Sequence, residues 1–145
     1  MTSNQILKRL PYQDPFLFVD AIEAISLEGI TGHYTFKHDH YFYKGHFKNN
    51  PITPGVILIE CMAQIGLVCL GMYIMKDEIS THDNPKIALT SSQVDFYLPV
   101  LPGDKVTVIS EKDVFRFNKL KCKVRMYNAE DELVCRGQIS GMISL

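Results

Sequence analysis

The feature that most constrains this chain is one apolar stretch, from Val56 to Met75. As a helix it is long enough to cross a bilayer, which takes about 20 residues at roughly 1.5 Å each. Its first half carries Glu60 and Gln64, and its second half Gly66 and Gly71. An acid held within a bilayer is costly, so the stretch reads as the central helix of a folded domain, buried on most sides. Thr53 is expected to cap it. Pro54 suits the first helical position, where its missing N–H would be unpaired anyway.

The rest of the chain reads as strands. Residues 4–10 are expected to form a short helix that stops before Pro11. Strands are expected at 16–25 and 30–36, turning near Glu28-Gly29, and again at 86–97, 105–113, 120–127 and 133–143. Polar loops fill 37–51 and 77–85, and Pro102-Gly103-Asp104 is the clearest turn. Within 120–126, Leu120, Cys122, Val124 and Met126 alternate with Lys121, Lys123 and Arg125. That period of two gives a strand with one buried and one wet face. One long helix and about six strands leave too few helices for parallel crossovers. The expected fold class is α+β: an antiparallel sheet wrapped around one helix, in a single domain over residues 1–145.

Net charge is -1, from 15 basic and 16 acidic residues. That balance argues against nucleic acid as a partner. The start, Met1-Thr2-Ser3-Asn4-Gln5, lacks the basic run and apolar block of a secretory signal. A cytoplasmic location, with no membrane partner, is expected. Cys61 and Cys69 are eight apart on the helix, about 12 Å along its axis, too far to bridge. Cys122 and Cys135 flank a turn at 128–131 and could face each other across a hairpin. Free thiols filling core space are the expectation for all four.

Several residues are candidates for chemistry. Glu60 and Gln64 are four apart and share a helix face, so the amide can orient the acid. Burial would raise the carboxyl pKa and make it a proton donor near neutral pH. A structural polar pair at a subunit contact is the competing reading. His46, between Gly45 and Phe47 on the loop before the helix, is the candidate base among five histidines. A packing role competes with it. Gly55 lies in the first helical turn, where an unpaired amide can hold a developing oxyanion and glycine permits close approach. It could also simply start the helix. His38, His40 and His46 could supply three metal ligands, but their spacing matches no strong zinc pattern. Cys61 on a buried helix reads as inert packing rather than a nucleophile.

Gly45-His46-Phe47, Pro51, Pro54-Gly55-Val56, Glu60 and Met62-Ala63-Gln64 resemble the active-site segment of (3R)-hydroxyacyl-[acyl-carrier-protein] dehydratases. Leu10-Pro11, Pro15-Phe16-Leu17 and Val19-Asp20 resemble that family's amino-terminal segment. Phe96, Pro99-Val100 and Pro102-Gly103-Asp104 resemble its later strand and turn. The resemblance implies a hot-dog fold and a homodimer with joined sheets, often assembled further as a trimer of dimers. It implies that His46 of one subunit works with Glu60 of the other, with Gly55 binding the thioester oxygen and Gln64 orienting the acid. It implies no metal or cofactor. The substrate would be a hydroxyacyl-phosphopantetheine on acyl carrier protein. Glutamate rather than aspartate at position 60 favours the dehydratase-only branch over the dehydratase-isomerases. A hot-dog thioesterase and a catalytically weak acyl-binding subunit are the alternatives.

The chain departs from the family pattern in several places. Lys48 stands where proline often follows His-Phe, and Thr53 where methionine is common. Tyr12-Gln13 replaces the usual His-Arg, and Tyr97-Leu98 replaces a basic pair. Those basic residues are expected to help dock an acidic carrier. Lys44 and Lys48, flanking His46, are the substitutes that the sequence offers, with Lys8 and Arg9 as additions to the same patch.

Overall fold

The computed structural model describes residues 1–145. Its elements are α1 (Ser3–Lys8), β1 (Ala21–Ile25), β2 (Gly29–Thr35), a short 3-10 turn (Tyr41–Lys44), α2 (Gly55–Ile74), β3 (Lys86–Phe96), β4 (Lys105–Arg116), β5 (Lys119–Tyr127) and β6 (Leu133–Ser144). The strands form one antiparallel sheet in the order β1-β2-β4-β5-β6-β3.

Alternation explains how sheet and helix meet. Val106 and Val108 on β4, Leu120, Cys122, Val124 and Met126 on β5, and Ile139 and Ile143 on β6 are buried against α2. Along β4 and β5 the residues between them are half-buried or exposed. The helix that by length and composition could cross a membrane is thus the core of the domain, with 78% of its apolar window buried. Its middle, Gln64–Cys69, widens into a π-helix. There the Gly66 carbonyl accepts from Ser110 Oγ at 3.1 Å and from Cys122 Sγ at 3.6 Å. A Cβ on Gly66 would lie 3.0 Å from that of Ser110, so glycine lets helix and sheet close on each other here.

Four expectations need correction. Pro54, not Thr53, occupies the helix cap, and Gly55 is the first helical residue. The Thr53 hydroxyl bonds to Tyr43 Oη at 2.6 Å instead, and the helix has no side-chain cap. The first strand begins at Ala21 rather than residue 16. The segment before it runs across α2 instead, because Phe18 N–H donates to a helix side chain, Gln64 Oε1, at 2.8 Å. Cys122 and Cys135 do not face each other: the hairpin sets Tyr127 opposite Leu133, Cys122 opposite Ile139 and Cys135 opposite Met126. All four cysteines are buried free thiols. Finally, Arg9 joins no surface patch. Its guanidinium donates to the Ser80 and Asp83 carbonyls at 2.9 and 2.7 Å and ties down the loop after α2.

Candidate active site

The chain leads into His46 through a tight path. The 3-10 turn at Tyr41–Lys44 ends with His46 N–H donating to the Phe42 carbonyl at 3.0 Å. His46 and Ile52 then bond to each other twice. Ile52 N–H donates to the His46 carbonyl at 2.9 Å, and His46 Nδ1 lies 2.8 Å from the Ile52 carbonyl. A carbonyl only accepts, so Nδ1 carries the proton and Nε2 is left to act as a base. The Phe47 ring stacks on the imidazole with centroids 3.9 Å apart.

His46 opens onto a cleft of about 340 Å³, shared with Gly55, Leu58, Phe96, Tyr97 and Val100. Thr53 N–H donates to the Val100 carbonyl at 2.8 Å and holds the helix start against the far wall. The Gly55 amide has no hydrogen-bond partner in the chain, as expected of a first helical residue. A Cβ there would lie 3.1 Å from Phe96 Cζ, so the glycine leaves room for that ring beside an open amide.

Glu60 is held separately. Gln64 is fully buried. Its Oε1 accepts from Phe18 N–H, while its Nε2 donates to the Phe16 carbonyl at 2.9 Å and to Glu60 Oε2 at 3.0 Å. The two backbone groups leave the amide only one orientation, and that orientation aims a donor at the acid. Burial pushes the Glu60 carboxyl above its ordinary pKa, and the Gln64 hydrogen bond offsets part of the rise. Burial also pushes the Tyr12 phenol up to about 12, with the Glu60 charge and then Cys69 adding to it.

Within one chain the structure therefore joins His46 to Gly55, and Glu60 to Gln64, but not the two pairs. Gly55 and Glu60 are five residues apart, about 140° around a helix with 3.6 residues per turn. Glu60 shares its face with Val56 one turn earlier, and Val56 is 73% exposed. Lys44 and Lys48 are both exposed. Lys44 borders a separate hollow with His38, His40 and Pro102. The three histidines are not gathered for a metal: His40 is buried with Nε2 2.6 Å from Tyr34 Oη, and no group of three potential ligands occurs.

Sequence reasoning missed the partners of these residues: the Ile52 carbonyl, the Phe16–Phe18 backbone, and Tyr12 as a neighbour of Glu60. Only the buried polar character of Gln64 signalled that a distant backbone segment had to come to it.

The profile of the FabA-like domain family matches residues 10–140. A 3-hydroxyacyl-[acyl-carrier-protein] dehydratase FabZ from Ehrlichia ruminantium is 36% identical over 143 residues, covering 97% of this chain and 94% of that protein. The chain belongs to the FabA-like family. Among solved structures, the dehydratase heterocomplex ApeI:P from Xenorhabdus doucetiae has a TM-score of 0.81 at 12% identity, covering 100% of this chain and 93% of its own. A hypothetical thioesterase with coenzyme A from Streptococcus pneumoniae reaches 0.62 at 13% identity, over 85% of this chain and 84% of its own. Both likenesses speak to the fold, which is the hot-dog arrangement of one helix in a curved antiparallel sheet.

Proposed function

We propose that this protein dehydrates (3R)-3-hydroxyacyl thioesters on acyl carrier protein to trans-2-enoyl thioesters, in fatty-acid or related acyl-chain biosynthesis. The observation that carries the reading is a free imidazole nitrogen and an unpaired helix N-terminal amide in one cleft. His46 Nε2 takes the proton α to the thioester carbonyl. That C–H electron pair becomes the Cα=Cβ bond as the Cβ–O bond breaks. The departing hydroxyl takes the Glu60 proton and leaves as water. The Gly55 amide holds the carbonyl oxygen while it gains enolate character. Glu60 is left as a carboxylate and His46 as an imidazolium, and proton exchange with water restores both. The thioester already acidifies the α proton, so the elimination asks for no cofactor.

The geometry supports a site shared between subunits. His46 and Glu60 face different sides of the helix start, and the face of Glu60 is uncovered at Val56. Strand β3, paired only with β6, leaves an edge eleven residues long for a second copy. We take the working unit to be a homodimer joined along β3, with Lys44 and Lys48 as cations that a carrier meets near His46. The reading includes a cytoplasmic location, where four reduced cysteines are stable.

One assay tests the reaction. Incubation with a hydroxyacyl-carrier substrate should yield a conjugated enoyl thioester without free thiol; thiol release instead would make the protein a thioesterase. Mixed dimers of His46→Ala and Glu60→Gln subunits should recover part of the activity through one intact shared site. Mixed dimers that form and stay inactive would mean that each site is built within one chain.

A further inference from the structure

The positive charge that the sequence lacks at Tyr97-Leu98 returns from another strand. Arg136 lies on β6 directly opposite Asp95 of β3, yet its guanidinium takes no part in any of the chain's ion pairs. It lies over the Tyr97 ring instead, 5.9 Å from the centroid. Tyr97 also lines the His46 cleft. An exposed cation without an acid partner is thus held at the cleft wall.

Arg136 does not stand alone. On the solvent face of the sheet it borders a groove of about 510 Å³ with Lys123, Arg125, Gln93 and Gln138. Arg125 faces Arg136 directly across β5 and β6, a like-charge pairing that disfavours the sheet unless something anionic is nearby. Two acids line this groove, Asp95 and Glu111. Glu111 is bound to Arg125 at 3.1 Å, which leaves Arg136 and Lys123 unpaired.

We infer that Arg136, with Lys123 beside it, receives the acidic surface of the carrier protein, and that Tyr97 holds its guanidinium at the cleft mouth. The inference rests on the dehydratase reading, which brings the substrate in on a carrier. An extended acidic surface fits better than a single phosphate, because the cations run away from the cleft across two strands. Arginine suits the task, since its planar fork stacks on an aromatic ring and still offers hydrogen bonds to carboxylates.

The test compares three substrates carrying the same acyl group: a carrier-bound thioester, a phosphopantetheine thioester and a pantetheine thioester. Arg136→Glu should raise KM for the carrier-bound substrate about tenfold at low ionic strength, leaving kcat unchanged, and the rise should shrink with salt. Neither short substrate should respond, and Arg136→Lys should retain most of the wild-type KM. Lys44→Glu/Lys48→Glu should have the smaller effect. An equal rise on all three substrates would mean that Arg136 only shapes the cleft through Tyr97. An equal rise on the two phosphate-bearing substrates would assign it to the phosphate. No rise at all would also overturn the proposal. Calorimetric titration of the carrier into otherwise wild-type and Arg136→Glu proteins reads docking without turnover. Arg136-dependent binding in a protein that dehydrates nothing would then sink the dehydratase reading while supporting the docking surface.

Discussion

The two halves of the candidate site are built on opposite principles. His46 sits on an irregular loop, its ring fixed by one backbone carbonyl and flanked by a half-exposed phenylalanine. Glu60 sits on the central helix, its carboxyl held by an amide that is itself locked by two backbone groups from a segment more than forty residues away. A base needs an available lone pair and access to substrate, which a loop can supply. An acid that must keep its proton near neutral pH needs burial, which only the core can supply. The loop half therefore bears on catalysis with little consequence for stability, whereas the helix half couples the two.

The largest effect should come from removing the reacting groups. His46→Ala is expected to lower kcat by about 10²–10⁴-fold with the unfolding midpoint nearly unchanged. Glu60→Gln should lower it comparably. Near wild-type dehydration by purified His46→Ala would remove His46 from the mechanism and end the comparison.

A second substitution separates the halves by stability. Gln64→Leu would leave the buried Phe18 N–H and the part-buried Phe16 carbonyl without partners. At about 1–3 kcal/mol for each unpaired group, a loss of roughly 2–6 kcal/mol is expected in urea unfolding. A change below about 1 kcal/mol would mean that water or a shifted backbone replaces the amide.

The smallest effect concerns pH. The folded protein raises the Glu60 pKa above the ordinary 4.5, chiefly by burial, so folding favours the protonated form. That contribution is complete below the ordinary value and is lost as pH rises through the folded one. Glu60→Gln, neutral throughout, should escape the loss and match or exceed the wild type in urea midpoint at neutral pH. Its margin over wild type should grow as pH rises through that window. Wild-type kcat should fall on the alkaline side as Glu60 gives up its proton. A stability difference that does not vary with pH would mean that Glu60 titrates as an exposed acid.

Much of this was legible in the sequence, and for a local reason. Helix and strand periodicities record which side of an element is buried, so the central helix, five of the six strands and the antiparallel layout followed from residue order alone. Glu60 and Gln64 announced themselves as polar groups on an apolar stretch, and four residues of spacing made them neighbours. The motif around His46 points to the family by itself.

Pairing across the chain was decided by the tertiary structure. Whether Cys122 meets Cys135 depends on where the hairpin turn is centred, and periodicity does not encode it. Residues 16–20 have the composition of a strand, but they run over the helix because a buried glutamine needs their backbone. Thr53 looks like a cap until Tyr43 takes its hydroxyl. Arg136 is thirty-nine residues from Tyr97, and only the β3–β6 pairing brings its charge to the cleft. Local patterns fix faces because each residue meets its neighbours whatever the fold. Partners across the sheet are selected by the packing of the whole domain, where satisfying one buried polar group can override the preference of a segment.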